Sequence, residues 1–371
     1  MSDIQTLDNA VVHNLLLNLP KEETIYFLNV IEQALKTFST SDERQYQPKP
    51  SIINRANGLH ALFRPFTSES SIGTKIIVQP APGDDGKSSP LRGVILLCDR
   101  KGIPTGLLPA EEITGYRTAM GAMIPFSWRN HVENIVVFGA GMQALWHTRL
   151  ILALRGSEVK RITFVNRSRD RADGLVATIS QENETRWRSG CVFCFVDATN
   201  RLNLQGCIKD ADCVFCTTPS REPLFPAEYL SLDMHGKGRR PFISAVGSRD
   251  PDMIELDPDL LRRAIAGNGG GYDLVTGDER GVVLTDDREF AIQHCGEFVQ
   301  TKITENIVEL GEIVDLKVGP HTDHARKRHT ERANEFLSEG FVMYKSIGVG
   351  LTDLAAGEAI LALFRRQKRS L

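Results

Sequence analysis

Apolar side chains change their spacing several times along this chain. Between residues 19 and 38 (LPKEETIYFLNVIEQALKTF), Ile25, Leu28, Ile31 and Leu35 recur at intervals of three and four after a proline, which predicts an amphipathic helix. From about residue 50 to 110 the short apolar runs TKIIVQP and RGVILLC are set between turn-rich stretches such as APGDDGKSSP and DRKGIP, the pattern of antiparallel strands and hairpins. A helix over ITGYRTAMGAMIPFSW leads into residues 134–218, where NIVVFGA, RITFVN, VFCFVD and DCVFCTT read as buried strands. Helical stretches from Gln143 to Arg155 and near Arg169–Ile179 separate the first three. Strand and helix in this alternation predict an α/β fold with a doubly wound parallel sheet. PFISAVGS supplies another strand, residues 256–318 mix helices with the strand GVVLTD, and the segment from SEGFVMYKSIG to LTDLAAGEAILALFRR ends in a long helix expected to pack on the first domain.

Length and composition narrow the class of molecule. At roughly 150 residues per domain, 371 residues predict two domains, each able to bury its own core. Lys and Arg total 44 against 47 Asp and Glu, a formal charge of −3 that offers no footprint for nucleic acid or an anionic membrane. A small-molecule partner is therefore expected. No apolar run approaches the roughly 20 residues of a membrane span, and the opening MSDIQTLDNA lacks the basic and apolar regions of a signal peptide, so the expected location is cytoplasmic. The seven cysteines read as reduced thiols rather than a disulfide framework.

Candidate chemistry concentrates after the strand IVVF. Gly139-Ala140-Gly141-Met142-Gln143-Ala144 ends that strand and opens a helix, where glycines allow a tight turn and let backbone N–H groups approach a pyrophosphate. Gly139, Gly141, Met142 and Gln143 are accordingly dinucleotide-binding candidates. The second strand ends in Asn166-Arg167-Ser168, with no carboxylate to receive the ribose 2′-hydroxyl of NAD. Arg167, flanked by Asn166 and Ser168, can instead hold a 2′-phosphate, so NADP(H) is the expected cofactor and NAD(H) the alternative. Thr218, Val246, Gly247 and Ser346 are further cofactor-binding candidates, and Ile347 a substrate-binding one.

Two other patterns are set aside. Cys191/Cys194 and Cys213/Cys216 have the spacing of a zinc module, but both pairs lie in extended apolar runs where residues three apart face opposite sides, so no metal is expected. His321, His324 and His329, in PHTDHARKRHTER, read as a solvated loop or helix face.

Five segments taken together resemble the ornithine cyclodeaminase/mu-crystallin family over nearly the whole chain: GTKIIV, ITGYRTA, VFGAGMQA, KSIGVGLTDLAA and, nearest the ketimine reductase branch, AVGSRDPDMIEL. The resemblance implies a Rossmann domain, residues 131–318, inserted into an α+β substrate and dimerisation domain made of residues 1–130 and 319–371. It also implies a homodimer and an active site between the domains. Arg117 would bind the substrate carboxylate and Lys75 would contact the substrate beside the reacting carbon, making both catalytic and substrate-binding candidates. The chemistry agrees, since a guanidinium holds a carboxylate bidentately and a partly buried ammonium can donate a proton.

Two departures qualify the resemblance. Where family members place another carboxylate-binding arginine, this chain has Pro50, with Arg55 or Arg64 as substitutes. Where true cyclodeaminases place an aspartate two residues before Pro-Gly-Lys, it has Arg249 before Pro251, with Asp250 one residue along. The reading that results is an NADP-dependent oxidoreductase acting on the C–N bond of a small α-imino or α-amino acid, most specifically a reductase of cyclic ketimines. Its alternatives are an ornithine cyclodeaminase that releases ammonia and a non-catalytic protein that binds NADP and a ligand.

Overall fold

A computed structural model describes residues 4–81, 91–230, 240–247, 252–266, 271–318 and 324–369. The chain folds into two compact units, residues 1–117 with 349–371, and residues 118–348.

The first unit begins with β1 (Gln5–Thr6), α1 (Asn9–Leu17) and α2 (Lys21–Thr40). Helix α2 forms as its apolar spacing predicts, but it buries Thr24, Phe27, Leu28, Ile31, Ala34, Leu35 and Phe38, while Ile25 is exposed. Strands β2 (Ser51–Asn54), β3 (His60–Thr67), β4 (Ser71–Gln79), β5 (Arg92–Asp99) and β6 (Pro104–Pro109) follow, and then α3 (Ala110–Ser127), whose first eight residues belong to this unit. The six strands form one sheet in the order β1-β6-β5-β4-β3-β2, antiparallel except where β1 joins β6. Strand β4 inverts the usual alternation, with Ser71, Gly73 and Lys75 buried and Ile72 exposed. Gly73 is required there, because a Cβ would stand 2.4 Å from the Phe66 ring and 2.6 Å from the Leu96 carbonyl.

The second unit carries β7 (Asn134–Phe138), α4 (Met142–Arg155), β8 (Arg161–Asn166), α5 (Arg169–Thr185), β9 (Val192–Asp197), α6 (Arg201–Lys209), β10 (Cys213–Cys216) and β11 (Phe242–Ala245). It continues through α7 (Pro258–Ile265), β12 (Val283–Thr285), α8 (Arg288–His294), α9 (Gly296–Thr301), β13 (Ile307–Glu309), α10 (Leu310–Val318), α11 (His324–Glu339) and β14 (Val342–Lys345). Eight strands pair in parallel in the order β13-β12-β14-β11-β10-β7-β8-β9, the doubly wound arrangement. Strands β7, β10, β11 and β14 are buried on both faces, which is why they read as continuous apolar runs. Helix α12 (Gly350–Arg369) returns the chain to the first unit. Among the described residues no helix is long and apolar enough to cross a membrane.

The units divide after Arg117 and Gly348, where residues 130 and 318 were expected. Residues 324–348 lie with the parallel sheet because β14 pairs between β11 and β12. The two cysteine pairs fall on β10 and on and just before β9, strands separated by β7 and β8. His329 is not solvated as expected: it is half-buried, its Nδ1 hydrogen-bonds the Tyr272 hydroxyl, and its Nε2 lies 2.9 Å from the Leu274 carbonyl. His321 lies outside the described residues, as do Arg249, Asp250 and Pro251.

Candidate functional site

In the first unit, three side chains meet that the sequence holds far apart. Lys75 points inward from β4, Arg117 lies on α3, and Asp353 stands in the first turn of α12, all nearly without exposed surface. Lys75 Nζ donates to Asp353 Oδ2 at 2.6 Å and to Thr114 Oγ1 at 3.4 Å. Arg117 Nε donates to Asp353 Oδ1 at 2.9 Å. Thr114 and Arg117 are three apart on α3 and so share a face, and the helix N-terminus favours the negative charge of Asp353. Burial opposes that charge, but Arg117, Lys75 and Arg64 outweigh it and hold the Asp353 carboxyl below the usual carboxylate range. The same burial, helped by Arg117 and Arg64 against the pull of Asp353, brings Lys75 down to about 7. A buried ammonium that exchanges its proton near neutrality, beside a guanidinium anchored by one nitrogen, can hold a carboxylate and deliver a proton.

The two substitute arginines differ. Arg64 faces Lys75 directly in the antiparallel register of β3 and β4, so both side chains stand on one face. Its Cδ would lie 3.6 Å from a Cβ on Gly350 at the start of α12. Arg55 sits in the exposed β2–β3 turn, where its N–H donates to the Leu59 carbonyl, and is not brought to Lys75.

In the second unit, the glycine turn joins β7 to α4. Gly139 has φ +107°, and a Cβ there would lie 2.9 Å from Thr217 Oγ1 and 3.1 Å from the Thr217 carbonyl. Gly141 is the N-cap of α4, with no side-chain cap and open space where a Cβ would be. A helix start without a side-chain cap and with room above it suits a pyrophosphate, so the residues present fit a dinucleotide. Met142 is exposed and Gln143 half-buried beside the turn. At the end of β8, Asn166 Nδ2 donates to the Ser168 carbonyl at 2.8 Å, Ser168 caps α5, and Arg167 is exposed.

Beyond β10 and β11 lies a buried charged network. Glu255 Oε1 accepts from Thr218 N at 2.6 Å and Thr218 Oγ1 at 3.0 Å, and Glu255 Oε2 accepts from Gly247 N at 2.6 Å. Lys345 Nζ donates to Glu297 Oε1 at 2.7 Å and to the Gly247 carbonyl at 2.7 Å, and lies 3.9 Å from Glu255 Oε2. Glu297 Oε1 also accepts from Glu255 N, and its Oε2 from the Cys295 thiol. Burial pushes the Glu255 carboxyl up and the Cys295 thiol to about 12. For Lys345 burial favours the neutral form, yet Glu297, Cys295 and Glu255 prevail and raise it. Val246 N donates to the Cys216 carbonyl. Asp286 holds the next loop, accepting from Ser346 Oγ, Ile347 N and Gly348 N at 3.0, 2.6 and 2.8 Å.

Sequence reasoning singled out Lys75, Arg117, Thr218, Gly247, Ser346 and Ile347 but gave no role to Asp353, Glu255, Glu297, Lys345 or Asp286. The available signal was a charge inside an apolar segment: Asp353 within LTDLAA, Glu255 within DMIEL and Lys345 closing VMYK.

A family model described as ornithine cyclodeaminase/mu-crystallin family matches residues 21–360. A Dictyostelium discoideum protein named as an uncharacterized cyclodeaminase is 26% identical over 92% of this chain and 87% of its own. The mouse ketimine reductase mu-crystallin is 23% identical over 89% of each chain. The solved Thermococcus litoralis Delta(1)-pyrroline-2-carboxylate reductase, in complex with NADH and L-proline, superposes with a TM-score of 0.71 at 17% identity, covering 98% of both chains.

Proposed function

Because the chain belongs to the ornithine cyclodeaminase/mu-crystallin family, we propose that it is an NADP-dependent reductase of ketimines, taking cyclic imino acids such as pyrroline- or piperideine-2-carboxylate to the amino acid. The observation that carries this reading is the buried constellation of Lys75, Arg117 and Asp353. Among the described residues Arg117 is engaged through Nε by Asp353, which sets its two terminal amino groups as a fork for the substrate carboxylate. Lys75 keeps the imine nitrogen protonated, and its depressed pKa lets it release that proton near neutral pH. Asp353 holds both cations in place and offsets the cost of burying them.

A nicotinamide cofactor fits the second unit. Gly139, Gly141, Met142 and Gln143 would hold its pyrophosphate, Asn166, Arg167 and Ser168 the 2′-phosphate, and Thr218, Val246, Gly247 and Ser346 the nicotinamide half. When bound it supplies hydride to the imine carbon, whose C=N bond becomes C–N as the nitrogen keeps the proton. The names of relatives support nicotinamide chemistry on imino acids, one as a ketimine reductase and one bound to NADH and L-proline. The NADP preference rests on Arg167 and the missing acid at the end of β8.

The test is NADPH and NADH oxidation against cyclic and linear imines made in situ, with ammonia release from ornithine measured alongside. NADPH consumption with an imine, at a higher kcat/KM than NADH and narrowed by Arg167→Ala, supports the reading. Ammonia from ornithine without net cofactor turnover would replace it with a cyclodeaminase.

A further inference from the structure

Three ionisable side chains buried together in one domain of a protein are expensive, and a hydrophobic replacement is often neutral or stabilising. The Glu255, Glu297 and Lys345 network therefore invites a functional reason beyond stability, and its location supplies one. In a doubly wound sheet the pyrophosphate lies at the turn after the first strand, here β7 to α4. The second strand, β8, then carries the adenosine half, and the strands on the other side of β7 carry the nicotinamide half. Those strands are β10, β11 and β14. The network ties the residues at their ends together: Thr218 after β10, Gly247 after β11, and Lys345, the last residue of β14.

The contacts are close enough to exclude alternatives. A Cβ on Gly247 would stand 2.7 Å from the Thr218 carbonyl and 2.9 Å from Glu255 Oε2, so the two loops can meet only around a glycine and this carboxylate. Both Glu255 oxygens accept backbone N–H groups, which with Lys345 favours the ionised form and offsets part of the upward push of burial. Among the described residues, the cation acting on Glu255 and on Glu297 is Lys345. With Glu255 and Glu297 both ionised, two carboxylates against one ammonium leave one negative charge in a dry interior, where its field is weakly screened.

We propose that Glu255 is a positioning residue for the nicotinamide half of the cofactor, fixing the Thr218 and Gly247 backbones and setting the network's net negative charge behind the ring. This rests on the cofactor reading above. A bound dihydronicotinamide would be neutral and would become a cation on giving hydride (two electrons and a proton) to an imine carbon, so a fixed negative charge held by Glu255 and Glu297 near that half of the cofactor would stabilise the oxidised form and favour hydride donation.

The experiment measures dissociation constants of NADP+, NADPH and 2′-phospho-ADP-ribose by calorimetry for the unmodified protein, Glu255→Gln and Glu255→Asp. In Glu255→Gln the ratio of the NADP+ to the NADPH constant should rise about tenfold, from losing a nearby unit charge at low effective dielectric. Binding of 2′-phospho-ADP-ribose, which lacks the nicotinamide, should stay the same. Glu255→Asp keeps the charge and shortens the reach, so it should weaken both cofactor forms together and preserve the ratio. If Glu255→Gln does not fold, Glu297→Gln reads the same ratio with the same expected rise. A ratio unchanged in the charge-removing variants while both forms bind overturns this inference and leaves the reductase reading standing. Failure of the unmodified protein to bind either form removes both.

Discussion

A lysine with 1% of its surface exposed is buried in the first unit, and its ionisation contributes to the pH dependence of stability. Burial, with Arg117 and Arg64 working against Asp353, lowers Lys75 from 10.5 to about 7. Between those values the unfolded chain keeps the proton that the folded chain has released. This group therefore lowers stability below pH 7 and returns it as pH rises toward 10.5. Denaturant titrations should show the gain across that window, and Lys75→Met should flatten it. Imine reduction, which uses the protonated lysine, should decline as pH passes about 7. In Asp353→Asn the Lys75 ammonium loses its partner, so the declining limb should move to lower pH and turnover at neutral pH should fall by roughly ten- to a hundredfold. A pH–rate profile checks both, and an unshifted limb in Asp353→Asn contradicts the pairing. Lys75 and Arg117 were legible because each stands in a recognisable segment, GTKIIV and ITGYRTA. Asp353 was not, because an acid in the apolar segment LTDLAA shows its purpose only when two distant cations fold onto it.

At the scale of elements, the turn between β7 and α4 separates two roles that glycine can have. Gly139 is required by its own backbone, with φ +107° and Thr217 in the way of a Cβ. Gly141 has an ordinary extended backbone, φ −112°, and open space. Its side chain is therefore missing for the benefit of something outside the chain. Gly141→Ala should cost about 1 kcal/mol of stability or less, as a change of N-cap, yet weaken NADPH binding at least tenfold. Calorimetry beside thermal melting distinguishes the two, and unchanged affinity contradicts the assignment of this turn to the pyrophosphate. The strands β7, β8, β10 and β11 were legible because buried parallel strands are continuous apolar runs set between helices, whereas β9, expected to be buried, is the half-exposed edge of the sheet. The β5–β6 hairpin declared itself through its turn, DRKGIP. Strand β14 was misplaced into the other unit, since its partners β11 and β12 lie far back in the chain and parallel pairing leaves no local mark. Arg55 was a plausible site residue in sequence and lies in an exposed turn, whereas Arg64 gains its place from cross-strand register with Lys75.

For the whole molecule, the edge of the six-stranded sheet carries a consequence for assembly. Strand β2 is exposed at every position, with Ile52 at 63% and Ile53 at 44%, and an unpaired edge with apolar residues on both faces promotes association. Light scattering at micromolar concentration should return a dimer or larger even-numbered oligomer, and Ile52→Lys should shift it toward monomer. A monomeric unmodified protein would contradict this. The central claim is that hydride passes from an exogenous reduced nicotinamide to an imino carbon, and isotope transfer tests it most directly. The protein is incubated with NADPH carrying deuterium at the transferable C4 position and with pyrroline-2-carboxylate, and the product is read by mass spectrometry and proton resonance. The account predicts proline with one deuterium at Cα and stoichiometric NADP+. Proline without deuterium, or ornithine converted to proline and ammonia with no NADPH consumed, would contradict it.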